Sequence, residues 1–121
     1  MTDDLPPLRI RLTLPGNVPF GPGKADLLQG ISETGSISAA GRQMGMSYRR
    51  AWSLVEAMNN AFADPLVETS RGGAEGGGAR LTRAGLAVLA LYRRMQREAE
   101  AATVDLRGGV AGMLRDISDE T

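Results

Sequence analysis

The chain reads as a mostly α-helical domain with a small β component, and three stretches carry that reading. Residues 36–62, SISAAGRQMGMSYRRAWSLVEAMNNAF, hold two helical segments broken at Gly45. Residues 66–82, LVETSRGGAEGGGARLT, are two short strand-like runs on either side of a glycine-rich tip. From Arg83 a long helical segment begins, and its first half, AGLAVLALY, is apolar nearly all round. A tight helix pair, a hairpin and a long closing helix together predict an α+β fold, a winged helix-turn-helix with a long C-terminal dimerisation helix.

Composition permits one such domain. With 121 residues, 42% of them hydrophobic and 23% charged, the chain can bury a single modest core. Residues 1–104 are read as that domain and residues 105–121 as a flexible or weakly helical tail. No apolar run reaches the ~18 residues of a membrane span. MTDDLPP carries acid where a signal peptide carries base, so the expected location is the cytoplasm, with no membrane partner. Cys and His are both absent, which removes disulfides, thiolate nucleophiles, zinc fingers and histidine general bases. Glu56 and Asp64 are not paired by anything in the sequence at a cleft. No enzyme, cofactor or metal site is therefore expected.

The formal net charge is zero, whereas a nucleic-acid binder usually shows a basic footprint. Distribution matters more than the sum. Arg42, Arg49, Arg50, Arg71, Arg80 and Arg83 fall in the middle of the chain, against Glu56, Asp64, Glu68 and Glu75. Asp3, Asp4, Asp116, Asp119 and Glu120 sit at the ends, so a neutral molecule can still present a positive face. Thirteen of the 14 basic residues are Arg, which suits bidentate contacts to guanine or phosphate, although a GC-rich genome would give the same bias.

Taken in order, residues 2–7 read as a loose arm. LRIRLTL, residues 8–14, alternates Leu8, Ile10, Leu12 and Leu14 with Arg9, Arg11 and Thr13, the pattern of a half-buried strand with its arginines on the solvated face. PGNVPFGPG has too much Pro and Gly for regular structure and reads as a loop, anchored by Val18 and Phe20. A helix over residues 24–34 follows, with Ala25, Leu27, Leu28 and Ile31 at helical spacing and Gly35 as its C-terminal cap. Ser36 can cap the next helix, residues 37–44.

Around Gly45 the spacing is that of a helix-turn-helix. Met44 and Met46 flank the turn as core residues, and Gly41 is small where two helix axes must cross. A helical Gly costs about 1 kcal/mol relative to Ala, so its presence there speaks for close packing. Ser47 is the expected N-cap of the third helix. At ~100° per residue, Ala51, Leu54, Val55, Met58 and Phe62 share one face, opposite Arg49, Ser53, Glu56 and Asn60. Tyr48, Arg49 and Arg50 then form the first turn, where each cation opposes the positive end of the helix dipole by roughly 0.3–1 kcal/mol. That placement is explained if phosphates or base edges meet the helix start. Double-stranded DNA is the expected partner, with Ser47, Tyr48, Arg49, Arg50 and Ser53 at the contact. The plainer reading is a solvated turn carrying two arginines.

Asp64-Pro65 ends the helix, because the residue before Pro avoids the α region. Strands over residues 66–70 and 79–82 enclose RGGAEGGG. Neither phosphate-loop pattern, G-x-x-x-x-G-K-[ST] nor G-x-G-x-x-G, occurs there, so the segment reads as a hairpin tip. In this setting the hairpin is a wing, with Arg71 and Arg80 at its shoulders placed to reach phosphates or the adjoining minor groove. Thr82 can cap the final helix, read from Arg83 to about residue 104. A helix apolar all round has to be buried on more than one face, and a domain this small cannot supply both. A homodimer is expected, with Leu86, Leu89 and Met95 shared between the chain's own core and its partner. Arg93, Arg94 and Arg97, mixed with Glu98 and Glu100, read as a solvated continuation. Beyond it, Gly108-Gly109 suggests fraying, while Val110, Met113, Leu114 and Ile117 keep the spacing of a short amphipathic helix.

Three segments, ISETGSISAAGRQMGMSYRRAWSLVEAMN, LVETSRGGAEGGGARLT and RAGLAVLALY, resemble the N-terminal DNA-binding domain of the ModE-type molybdate-responsive transcription regulators, and more distantly the LysR-type winged helix. The resemblance covers about residues 8–103 and rests most specifically on SYRRAW, the Gly-rich wing and LT-x-x-G. It implies a winged helix-turn-helix dimer that binds DNA, with Ser47, Tyr48, Arg49, Arg50 and Ser53 matching the recognition segment and the final helix joining two chains. Full-length members continue into molybdate-binding domains with a Ser-Ala-Arg-Asn stretch that this sequence lacks. The resemblance therefore implies no molybdate site within these residues. Either the chain acts as a DNA-binding member alone or with a separate ligand-binding protein, or it is a piece of a longer protein. A rival class is the protein-interaction module, since winged helices also serve as docking platforms and zero net charge suits that role.

Overall fold

The computed structural model describes residues 5–70 and 78–115. In chain order the elements are β1 (Leu12–Leu14), β2 (Val18–Phe20), α1 (Pro22–Thr34), α2 (Ile37–Gln43), α3 (Tyr48–Ala61), β3 (Val67–Ser70), β4 (Gly78–Leu81) and α4 (Arg83–Ala111). The α+β winged helix-turn-helix expected from the sequence is the observed architecture.

One core holds the helices and the wing together. Leu27, Leu28 and Ile31 of α1, Ala40 of α2, Ala51 of α3 and Leu66 are fully buried, and Val55, Met58, Val67 and Tyr92 nearly so. The expected caps are present: Ser36 Oγ accepts from the Ala39 amide (3.0 Å), Ser47 Oγ from Arg50 (3.1 Å) and Thr82 Oγ1 from Gly85 (3.0 Å). Each satisfies one of the amides that a helix start leaves unpaired. Between α2 and α3 the chain reverses at Gly45, whose φ of 72° is the left-handed conformation that costs a side-chain-bearing residue. The Gly41 carbonyl accepts from both Met44 and Met46 (3.0 Å each), which closes the turn. A Cβ on Gly41 would lie 2.9 Å from that of Ala51, so this glycine lets α2 and α3 touch.

The wing is the antiparallel pair β3–β4, registered Val67↔Leu81 through Ser70↔Gly78. It is tied to the end of α1 by Ala79 N–H donating to the Gly35 carbonyl (2.9 Å). Asn59 fixes its other end. The Asn59 amide donates to the Val67 carbonyl (3.0 Å), and its oxygen accepts from Leu66 (2.8 Å) and Val67 (3.1 Å).

Three features differ from the sequence reading. Only Leu12–Leu14 of the expected strand over residues 8–14 pairs, and its partner β2 lies inside the stretch read as loop. Gly16 and Asn17 both take positive φ, which folds the Pro-rich segment into a hairpin. Pro19, lacking an N–H, is tolerated because the sheet has only two strands. Second, the end of the arm expected to be loose, at Pro6, and the stretch that follows it are tied to α4. Arg107 donates to the Pro6 carbonyl (3.3 Å), Leu8 N–H to Glu100 Oε2 (2.9 Å) and Tyr92 Oη to the Ile10 carbonyl (2.6 Å). Third, α4 runs to Ala111, through Gly108 and Gly109 rather than ending near residue 104. Arg107 also bonds Thr103 and the Glu100 carbonyl, locking the turn that precedes the glycines.

Candidate nucleic-acid interface

The first turn of α3 is open. Tyr48 is 62% exposed, and Ser47, Arg49, Arg50 and Ser53 are exposed around it. Among the described residues neither Arg49 nor Arg50 makes an ion pair; the three pairs present are Arg80–Glu68, Arg93–Asp26 and Arg94–Glu98. The opposite side of α3 is buried through Ala51, Val55 and Met58. The helix thus turns two free cations and its positive terminus outward, an arrangement that attracts anions. Tyr48 stands edge-on to Trp52, ring centroids 6.1 Å apart, so its phenol is held beside the arginines rather than folded into the core. Arg42, in the last turn of α2, adds an exposed cation on the preceding helix.

The wing residues fare differently. Arg80 is exposed but bonded to Glu68, directly across the ladder, at 2.6 Å. An exposed pair of this kind is worth about 0–1 kcal/mol, so Arg80 can exchange its partner at little cost. Arg71 lies outside the described residues, as do the others from 71 to 77. On α4, Leu86 and Met95, expected at a partner's surface, are exposed, at 53% and 39%. Leu89, expected to be shared between the core and a partner, is 8% exposed within the chain's own core, and Leu91, at 65%, faces outward. A helix buried on one side presents alternate apolar residues inward and outward, and the composition of AGLAVLALY does not say which.

Two features of the interface were not legible from sequence motifs. Arg11, immediately before β1, and Lys24 of α1 line one concavity with Arg50, since the unexpected N-terminal hairpin brings them beside α3. Asn59 sits one position from the solvent-facing Asn60, and only the position of the wing distinguishes a structural amide from an exposed one.

The same elements are shared with known proteins. The family model for bacterial regulatory helix-turn-helix proteins of the lysR family matches residues 25–86, from α1 through the wing into α4. The chain belongs to that family. Among its relatives, the molybdenum-pterin-binding protein MopB of Rhodobacter capsulatus is 51% identical over 73 residues, 60% of this chain and 27% of that protein. MopA of the same organism is 41% identical over 91 residues, 75% of this chain and 34% of that protein. The DNA-binding transcriptional dual regulator ModE of Escherichia coli K12 is 42% identical over 71 residues, 59% of this chain and 27% of that protein. The chain thus spans about a third or less of the length of these curated relatives. In fold it is similar to the solved CbnR DNA-binding domain in complex with DNA, with a TM-score of 0.57 at 23% identity, covering 73% of this chain and 95% of that one. The lysR-family match encloses the helix-turn-helix and the wing described above.

Proposed function

We propose that the chain is a sequence-specific DNA-binding transcription regulator of the ModE type, acting as a homodimer. The single observation that carries this is the start of α3: Arg49 and Arg50 stand exposed at a helix N-terminus, unpaired among the described residues, Arg49 on the face opposite the buried one and Arg50 on its flank. Placed in a major groove, that turn can offer Arg49 and Arg50 to guanine edges or phosphates and Ser53 as a hydrogen-bonding group, with Tyr48 packing on the groove wall. Membership of the lysR family and the similarity to ModE, a DNA-binding transcriptional regulator, support the same reading.

Dimerisation is supported by α4. Met95, Ala99, Ala102, Leu106 and Gly109 recur at alternating steps of four and three along α4, an a/d seam of apolar and small residues. Met95 is 39% and Leu106 72% exposed, so nothing among the described residues of a single chain covers these seam positions. A second α4 can do so, leaving the two recognition helices to face successive grooves.

Selection of bound fragments from a random duplex pool, followed by fluorescence anisotropy, tests the proposal. Wild-type protein is expected to enrich a two-fold symmetric sequence. Arg49→Ala together with Arg50→Ala should abolish the enrichment while leaving Tm unchanged. Enrichment that survives the double substitution would overturn the assignment of the recognition turn.

A further inference from the structure

The recognition helix and wing account for one part of the surface; a second cationic feature extends beyond both. At the N-terminal end of α1 a concavity of about 420 Å³ is lined by Arg11, Lys24 and Arg50, with Met46 and Leu54 from the α2–α3 turn and α3. The three cations come from three separate segments of the chain. Among the described residues no carboxylate lines the concavity. Asp26, the acid nearest in sequence, is engaged by Arg93 at 2.9 Å. Arg11 packs across Gly21, where a Cβ would lie 3.5 Å from Arg11 Cγ, so the hairpin brings this arginine to the start of the helix. Lys24 donates one proton to the Pro19 carbonyl (2.9 Å), which holds its ammonium at the hairpin and leaves two donors.

We propose that Arg11, Lys24 and Arg50 form a clamp for a DNA backbone phosphate, at the opposite end of α1 from the wing. The inference rests on the DNA-binding reading and extends it to residues outside the helix-turn-helix. The wing is fastened to Gly35, at the C-terminal end of α1, and the clamp surrounds Gly21 to Lys24, at its other end. The 13 residues of α1 separate the two by about 20 Å. That distance is enough to bracket a major groove ~12 Å wide. The clustering also has an electrostatic signature: burial lowers the Lys24 pKa below its ordinary value, and the nearby Arg11 lowers it further. Mutually repelling cations held together without a counter-charge gain from an anion, and a phosphodiester supplies one without requiring any particular base.

The test is a salt titration of binding to the selected duplex and to a scrambled one, using Arg11→Gln, Lys24→Gln and, as a control of equal charge on α4, Arg97→Gln. Arg11→Gln and Lys24→Gln are expected to weaken binding to both duplexes by the same factor. For every phosphate that a variant no longer neutralises, the log–log salt slope should flatten by about 0.9. Arg97→Gln should leave the slope at its wild-type value. Arg11 is exposed, so Arg11→Gln keeps the test valid if Lys24→Gln lowers Tm. A wild-type slope in folded Arg11→Gln, or equal flattening by Arg97→Gln, would overturn the clamp while leaving DNA binding intact. Failure of wild-type protein to bind any duplex would overturn the function proposed above and the clamp with it. Inorganic phosphate separates the other source of the anion. A rise in wild-type Tm with added phosphate that Arg11→Gln removes, together with a wild-type slope of that variant on DNA, would assign the site to a free oxyanion and overturn the clamp.

Discussion

Asn59 shows how much one side chain can hold. Its amide closes three backbone groups at the junction of α3 and β3, and the wing leaves the helix at that point. Asn59→Ala strands two amides and a carbonyl, at a cost of about 1–3 kcal/mol. Thermal or urea unfolding should show that loss, and DNA binding should weaken as the wing loses its fixed angle. A second residue, Tyr92, links the hairpin to α4 through its hydrogen bond to Ile10 and its edge contact with Phe20, ring centroids 5.3 Å apart. Burial raises its pKa, and that outweighs Arg93 and Arg9, which lower it, while Asp26 adds a smaller rise. The unfolded phenol, with a pKa near 10, therefore ionises before the folded one. The contribution of Tyr92 is complete below that value and is lost as pH rises through the raised folded pKa. Comparing unfolding of wild type with Tyr92→Phe should give a stability difference that shrinks across this alkaline window. A constant difference would show that the phenol does not titrate differently on folding.

At the scale of elements, the informative one is α4, whose 29 residues carry two different faces. One face, with Gly85, Leu89 and Tyr92, is buried against the rest of the chain. Gly85 admits the closest approach: a Cβ there would overlap the Leu66 carbonyl, so the helix start and the entry to the wing are pressed together. The other face is the seam through Met95, Ala102 and Leu106. Leu106→Glu puts a charge into an a/d position without touching the chain's own core, since Leu106 is 72% exposed. Analytical ultracentrifugation should find wild type as a dimer and Leu106→Glu as a folded monomer. An unchanged sedimentation coefficient would place the dimer contact elsewhere.

For the molecule as a whole, a zero net charge coexists with a positive face because the charges are partitioned. Arg93 and Arg94 are paired by Asp26 and Glu98, while Arg49 and Arg50 make no ion pair among the described residues. A dimer built this way should require half-sites ~34–36 Å apart, or a multiple of that distance. With about four to eight phosphates neutralised per dimer, affinity should fall with salt at a log–log slope near −0.9 per phosphate. Moving one half-site by about five base pairs, half a helical turn, carries it to the opposite face of the duplex and should abolish cooperative binding. A flat salt response, or indifference to spacing, would contradict a groove-reading dimer.

Sequence alone determined the parts of this protein that are governed by local rules. Ser36, Ser47 and Thr82 announce their helices because a hydroxyl before an apolar-periodic run satisfies nearby amides. Gly45 announces the turn because few other residues adopt its positive φ. The α3 faces follow from a fixed rotation per residue, and the resemblance carried by SYRRAW and the wing supplied the family. The tertiary structure decided what depends on residues distant in the chain. β2 became a strand only by pairing with β1, Leu89 turned inward because the core lies on that side of α4, and Arg80 found Glu68 through the wing register. Arg11 and Lys24 join Arg50 for the same reason: no spacing rule along the chain reports which charges a fold will bring together, because that proximity is set by packing.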